Sequence, residues 1–442
     1  MVGRDKELSI LHEVYDQVRR TCVSSTSEGE GEEVKEEDPT ATTATPGTAT
    51  ITTTTATNST SSRCKAVFVG GYSGAGKTSL VRTFVQTVQQ KQPKQGDQSL
   101  VLFGDGKYDQ LARLRPFSGL VDAMDNLCGQ IVNPTKELGV QLKEQLNTND
   151  AELLTTLVPN VNRLLLGGSG ERSAVENEGG RGGGNGIQRK KPSTSLVAPT
   201  GGTGGGGGRR RSSTSLLVDE NSIARMKLAF QTLLRVIVNH HSNPNNTKKD
   251  TTTTTTTVIL HLDDLQWGDS ATMEVIQFLL ENSDGLTSNV MIIGCYRDNE
   301  VDDDHVLSIK LNELKEKNSE SFQLIEVGEL SKDHLRDMVC GILHVNKDDD
   351  DENENENNNN NNPSVRTLSD TIHRKTNGNP FFTLQFLDLL EKKKLLMFNV
   401  MRCKWEWNTK EIKSEMDVTS NVVEMVATKI LWLHRGTQVV LK

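Results

Sequence analysis

Short apolar runs separated by amphipathic stretches set the plan of this chain. Ala66-Val67-Phe68-Val69, Val101-Leu102-Phe103 and the run at 290–296 are apolar at consecutive positions, 258–262 is apolar but for His261, and 324–327 is a weaker fifth. Such runs predict strands buried on both faces, because a half-solvated strand would alternate with polar residues. Between them the spacing changes to threes and fours. Ile223, Met226, Phe230, Leu233, Leu234 and Ile237 share one helical face, as do Val275, Ile276, Leu279 and Leu280. A further helix is expected from Lys77 to about Val88. Strands alternating with helices predict an α/β fold with a parallel sheet covered on both faces. After about Ser331 the pattern becomes mainly helical, which predicts a second, smaller domain.

Four biased segments interrupt the pattern, at about 24–62, 167–215, 243–257 and 348–362. They are acidic and Thr-rich, then Gly-, Ser- and Arg-rich, then Asn- and Thr-rich, then acidic and Asn-rich. None carries apolar periodicity, so none buries enough surface to offset its ordering entropy, and all four read as disordered surface insertions. Arg189-Lys190-Lys191-Pro192-Ser193-Thr194-Ser195-Leu196 is echoed by Arg209-Arg210-Arg211-Ser212-Ser213-Thr214-Ser215-Leu216. Serines beside basic triplets suit phosphorylation, but low-complexity drift is the simpler explanation of the echo and the one favoured.

Composition narrows the classes. Of the 442 residues, 34% are hydrophobic and 4% aromatic, low values that fit dilution by the insertions. A net charge of −9 argues against broad nucleic-acid binding, which needs a basic face. No apolar run follows a basic start, and none approaches the roughly 18 residues of a membrane helix. The chain therefore reads as intracellular and cytoplasmic, with no membrane contact. Cys22, Cys64, Cys128, Cys295, Cys340 and Cys403 lack the paired spacings of zinc sites or disulfide frameworks, so free thiols are expected.

Gly71-Tyr72-Ser73-Gly74-Ala75-Gly76-Lys77-Thr78 matches the GxxxxGK[ST] phosphate-binding pattern in full. Glycines allow successive backbone N–H groups to curl round a phosphate, and the helix that follows directs its positive end at the same anion. Lys77 is expected at the β- and γ-phosphates, Thr78 on magnesium, and Ser79 beside them. The pattern follows an apolar strand and opens an amphipathic helix, the context it requires.

Val258-Ile259-Leu260-His261-Leu262-Asp263-Asp264 is an apolar strand ending in two carboxylates. Asp263 is expected to hold magnesium, directly or through water. Asp264 stands where a group polarising an attacking water is often found, and Asp in place of Glu suits slow hydrolysis. Capping of the next helix is the structural alternative, but Asp269 before Ser270 already fits that role. His261 reads as a core histidine with its hydrogen bonds satisfied rather than a ligand. Arg297 follows the strand at 290–296, so it lies at the carboxyl edge of the sheet, where ligands collect. It is a candidate γ-phosphate sensor or, alternatively, one half of an ion pair with Asp298 or Glu300. Asn379 and Pro380 read as the cap and first residue of a helix.

Together these segments resemble the AAA-type P-loop ATPase domains of the signal-transduction ATPases with numerous domains, a group close to origin-recognition-type ATPases. The resemblance runs from Val2-Gly3-Arg4-Asp5-Lys6-Glu7-Leu8 through the phosphate cradle. It continues through Gly106-Lys107-Tyr108-Asp109-Gln110 and Pro116-Phe117-Ser118-Gly119-Leu120 to Asp263-Asp264-Leu265-Gln266-Trp267-Gly268-Asp269. Tyr296-Arg297-Asp298-Asn299-Glu300-Val301, Gly378-Asn379-Pro380-Phe381-Phe382, Trp405-Glu406-Trp407 and Asn421-Val422-Val423-Glu424 follow in order. The resemblance implies an AAA+ ATPase domain over 1–330, a helical lid over 331–395 and the start of a winged-helix region over 396–442. It implies ATP or ADP with magnesium as ligands. It also puts Val2, Gly3 and Arg4 near the adenine, Arg297 at the sensor position, and Pro380 near the base. Relatives sit beside kinase, cyclase or DNA-binding outputs and continue into the winged-helix core beyond the point where this sequence stops. Protein partners or an output of that kind are therefore expected, and DNA is not. No arginine finger is identifiable from the sequence.

Three functions compete. The first is a nucleotide-dependent switch with slow hydrolysis, closed with ADP and released on exchange for ATP. The second is an ATPase that acts on DNA or remodels a partner, and the third is a nucleotide-binding scaffold without turnover.

Overall fold

A computed structural model of the chain describes residues 1–23, 64–90, 100–112, 115–131, 136–166, 220–240, 256–282, 289–345 and 365–417. In chain order the elements are α1 (Asp5–Val23), β1 (Lys65–Gly70), α2 (Lys77–Gln90), β2 (Leu100–Lys107), α3 (Ser118–Gln130), α4 (Lys136–Gln145), α5 (Thr148–Leu157) and α6 (Val161–Leu165). They continue with α7 (Glu220–His240), β3 (Thr256–Asp263), α8 (Ser270–Glu281), β4 (Val290–Cys295), α9 (Val306–Lys317) and β5 (Phe322–Glu326). The last are α10 (Lys332–Leu343), α11 (Val365–Thr376), α12 (Pro380–Lys392), β6 (Leu396–Asn399), β7 (Lys404–Trp407) and α13 (Thr409–Asp417).

The five strands β2-β3-β4-β1-β5 form one sheet in that order, all parallel. Strand alternation sorts the apolar residues onto two faces. Ala66, Phe68, Val258, Leu260, Leu262, Val290 and Ile292 meet α3 to α9 on one side. Val67, Val69, Ile259, Met291, Ile293 and Cys295 meet α1 and α2 on the other. The result is a three-layer P-loop α/β fold, as the alternation of the sequence requires. Because β1 lies between β4 and β5, the chain leaves it for the far edge of the sheet, and the crevice at the carboxyl end of β1 is the natural ligand position.

Two boundaries depart from expectation. The strand foreseen at 101–103 extends to Lys107. Gly104 and Gly106 carry no apolar signal, yet they lie against the backbone of α3. A Cβ on Gly104 would come within 2.5 Å of the Ala123 carbonyl oxygen, and the fit at Gly106 against Gly119 is closer still. The strand is glycine-rich because a helix backbone packs directly on it. The threonine run at 251–257, assigned whole to an insertion, gives its last two residues to β3. Thr256 and Thr257 are buried and pair with Leu100 and Val101, since a β-branched hydroxyl residue fits a pleated strand. The remainder of the four insertions, the two basic repeats and the segment Asn421-Val422-Val423-Glu424 lie outside the described residues.

A third apolar cluster joins α10, α11 and α12 to the antiparallel pair β6–β7 and to α13, through Leu335, Val339, Leu368, Ile372, Leu390, Leu396 and Ile412. Asn379 caps α12 by accepting from the Phe382 N–H, with Pro380 at the start of the helix, as read from the sequence. Among the described residues no helix is long and apolar enough to cross a membrane.

Candidate functional site

The cradle forms where β1 gives way to α2. Gly74 and Gly76 adopt φ of 80° and 99°, which side chains disfavour. Gly74 is constrained twice, because a Cβ there would sit 2.7 Å from Cβ of Phe381 and 2.9 Å from Oδ1 of Asn379. Lys77, the first residue of α2, is buried, and its ammonium donates to the carbonyls of Gly71 at 2.5 Å and Tyr72 at 2.9 Å. Burial lowers its pKa. Thr78, next along, donates its hydroxyl proton to Asp263 Oδ2 at 3.0 Å. Tyr72, Ser73 and Ser79 are exposed, while Ala75 is buried.

Three neighbours brace this loop. Arg4 is buried, and its Nη2 donates to the carbonyls of Ala75 at 3.2 Å and Gly328 at 2.5 Å, while Nη1 pairs with Glu7 at 3.2 Å. Gly3 lies against His334 of α10, and Val2 is exposed. Asn379 Nδ2 donates to the Ser73 carbonyl at 3.0 Å, and the Phe381 N–H donates to the Gly74 carbonyl at 3.3 Å. Pro380 stands between those two hydrogen bonds, so the N-terminus of α12 is tied directly to the cradle backbone.

The end of β3 supplies the acidic side. Asp263 Oδ1 accepts from the Asp264 N–H at 3.1 Å. Asp264 is in the left-handed region, φ 55° and ψ 43°, which costs about 1 kcal/mol. That carboxylate accepts from Lys107 Nζ at 2.9 Å, from Arg297 Nε at 3.2 Å and from Gln266 Nε2 at 3.2 Å. Burial resists its ionisation, but the Lys107 and Gln266 hydrogen bonds and the two positive charges hold its pKa below the usual value. The same contact raises the Lys107 ammonium. Arg297 also pairs with Glu300 at 2.6 Å and lies over the Trp267 ring at 4.9 Å, and its N–H donates to Gln266. Of the two roles weighed for Arg297, this structure contains the ion pair with Glu300, and adds one with Asp264.

Lys107 and Gln266 had no role assigned from the sequence, whereas Glu300 was foreseen as a partner of Arg297. For Lys107 a signal existed, since extending β2 by four residues puts it in register with Asp263. His261 was only half foreseen. Its Nδ1 bonds Asp105 Oδ1 at 2.7 Å, but Nε2 is buried with no partner. It is not a fully satisfied core histidine, because no hydrogen-bond partner lies within reach of the second nitrogen.

The arrangement suits a phosphate and a hard cation. Glycine-permitted backbone turns at the start of a helix favour an anion, and the Thr78 hydroxyl and Asp263 carboxylate are a compact pair of oxygen donors for magnesium.

Comparison with known proteins agrees with this geometry. The AAA ATPase domain family matches residues 50–293, more than half of the sequence. Over 75 residues the chain is 36% identical to hybrid signal transduction histidine kinase G of Dictyostelium discoideum. That stretch is 17% of this chain and 2% of the kinase, so the chain spans only a small fraction of its curated relative. Among solved structures, that of Drosophila ORC bound to DNA is similar at 11% identity, covering 74% of this chain and 51% of that one. Its TM-score is 0.22, an overlap too slight to bear on function. The chain belongs to the AAA ATPase domain family.

Proposed function

We propose that this AAA ATPase domain is a nucleotide-dependent regulatory switch that binds ATP or ADP with magnesium and hydrolyses ATP slowly. The observation that carries the reading is the double attachment of the cradle. On one side Thr78 is bonded to Asp263, and on the other Ser73 and Gly74 are bonded to Asn379 and Phe381 at the head of α12. A phosphate entering the loop changes the contacts of both at once, and a switch requires such differential contacts.

In this reading the Gly71–Thr78 backbone holds the phosphates, and Lys77 exchanges its two carbonyl partners for phosphate oxygens. Thr78 and Asp263 hold magnesium, which when bound neutralises phosphate charge and orients the oxygens. Arg4 keeps Ala75 and Gly328 in place beneath the loop. Asp264 orients water once its carboxylate is released from Lys107, and Arg297 distinguishes ATP from ADP by exchanging Asp264 for the γ-phosphate. Residues 331–395 act as the lid over this site, and the remaining residues begin a winged-helix region. The likeness to part of a signalling kinase favours protein partners or an output of that type.

Replacing Arg297 with Ala tests the reading. ATP-over-ADP preference is expected to fall by about fivefold or more, the scale of a 1 kcal/mol coupling. An unchanged ratio in a binding titration removes the sensor role.

A second reading, a nucleotide-binding scaffold without turnover, draws on one observation. Asp264 is held by two cations, so the carboxylate closest to a catalytic role is already engaged. Phosphate release under single-turnover conditions separates the two readings.

A further inference from the structure

The α2-facing side of the sheet carries two buried side chains, His261 and Cys295, that nucleotide binding does not use, beside Asp263, which it does. A ring nitrogen of His261, the Asp263 carboxylate and the sulfur of Cys295 lie within 4.8 Å of one another, all in buried residues. Strand geometry brings them together. His261 and Asp263 are two apart on β3 and therefore share a face, and Cys295 ends the adjacent parallel strand β4.

Histidine orientation supplies the second observation. Nδ1 is engaged by Asp105 Oδ1 at 2.7 Å, so Nε2 is the nitrogen left for a ligand, and it is buried without a partner. A carboxylate on one imidazole nitrogen and an open lone pair on the other is the arrangement by which proteins orient histidine toward a metal. An orphan nitrogen in an apolar core otherwise costs free energy with no return.

We propose that His261, Asp263 and Cys295 form a binding site for a thiophilic divalent cation such as zinc, distinct in its chemistry from the oxygen-donor pair of Thr78 and Asp263. Nitrogen, sulfur and one oxygen suit zinc and disfavour magnesium. The ligand atoms, within 4.8 Å of one another, draw together by up to about 1 to 1.5 Å to meet tetrahedral zinc, whose bonds are about 2.0–2.3 Å. On binding, the Cys295 S–H bond breaks, a sulfur–metal bond forms and the proton passes to buffer, so no oxidant is needed. Asp263, the least buried of the three, is the side of entry. Because Asp263 belongs to both sets, a thiophilic cation withdraws it from Thr78. That consequence, unlike the site itself, rests on the role proposed for Asp263.

Cobalt(II) titrated into the nucleotide-free, full-length protein tests the site directly. One equivalent is expected to produce a thiolate-to-cobalt absorption band that zinc bleaches. Cys295→Ser abolishes the band, and Cys403→Ser, at an exposed thiol, leaves it intact. Asp105→Asn, at a half-exposed position where folding is not at risk, weakens cobalt binding about 10- to 100-fold. Should Cys295→Ser fail to fold, X-ray absorption of the zinc-loaded native protein decides, with one sulfur at about 2.3 Å expected. A shell of nitrogen and oxygen alone, no band in the native protein, or a band that survives Cys295→Ser overturns the proposal.

Discussion

Thr78 and Asp263 are 185 residues apart in the chain, and the Thr78 hydroxyl donates to the Asp263 carboxylate at 3.0 Å. The two oxygens belong to the start of α2 and the end of β3, strands apart in the sheet, so only the parallel order of β1, β4 and β3 aligns them. This pair is the proposed magnesium position.

Removing either partner is expected to separate metal-dependent from metal-independent binding. Thr78→Ala or Asp263→Asn should weaken magnesium-nucleotide binding by about tenfold to a hundredfold, the worth of one charge-assisted contact. Binding in excess chelator should change little. A fluorescent-nucleotide titration with and without magnesium measures both, and equal losses in the two conditions would contradict the assignment.

Lys107 offers a test of the Asp264 cluster. Its side chain is 65% exposed, so its ion pair with Asp264 at 2.9 Å is worth at most about 1 kcal/mol. Lys107→Met should therefore raise basal ATP turnover by up to about fivefold while leaving nucleotide affinity unchanged. A lower rate would mean that Lys107 positions Asp264 instead of restraining it.

Asn379 has two separable jobs. Its side-chain oxygen caps α12 and its amide reaches Ser73. Asn379→Asp keeps the cap and loses the donor, whereas Asn379→Ala loses both and costs about 1 kcal/mol of stability from the cap alone. If α12 reads the cradle, both variants shrink the rise in Tm on adding nucleotide, and only Ala lowers the Tm of the free protein. A full nucleotide-induced rise in both would sever the link between loop and helix.

The buried thiols predict a pH response. Burial pushes Cys64 and Cys128 up to about 12, whereas Cys403 is exposed. At pH 8 a thiol of that kind is roughly one part in ten thousand thiolate, so iodoacetamide should label Cys403 long before either. The sign for stability follows from linkage. Both thiols are protonated in each state below the ordinary value near 9. Above it the unfolded chain loses protons that the native chain keeps, so stability falls as pH rises toward about 12. Peptide mapping after timed alkylation, and urea midpoints between pH 8 and 10.5, check the two halves. Early labelling of Cys64 would show that its packing opens.

The sequence alone determined everything that local chemistry specifies. Three buried apolar runs, with the half-buried edge run at 101–103 and the weaker run at 324–327, pointed to the parallel sheet, because their apolar residues need cover on both faces. The glycines, Lys77 and Thr78 wrote the cradle into eight consecutive residues, and Asp269 and Asn379 announced their caps. Tertiary structure decided what depends on neighbours distant in the chain. Lys107 meets Asp264 only because a glycine-rich edge strand, packed on the backbone of α3, continues past its apolar run. The pairing of Arg297 with Asp264 follows from the left-handed turn at Asp264, which no residue pattern announces, whereas its pairing with Glu300 three residues on was open to the sequence. His261 reads as one more core position until β2 brings Asp105 to one of its nitrogens and β4 brings Cys295 close by. Periodicity reports which face a residue occupies. It carries no information about which strand lies alongside, and that neighbour decides where each proton and charge is held.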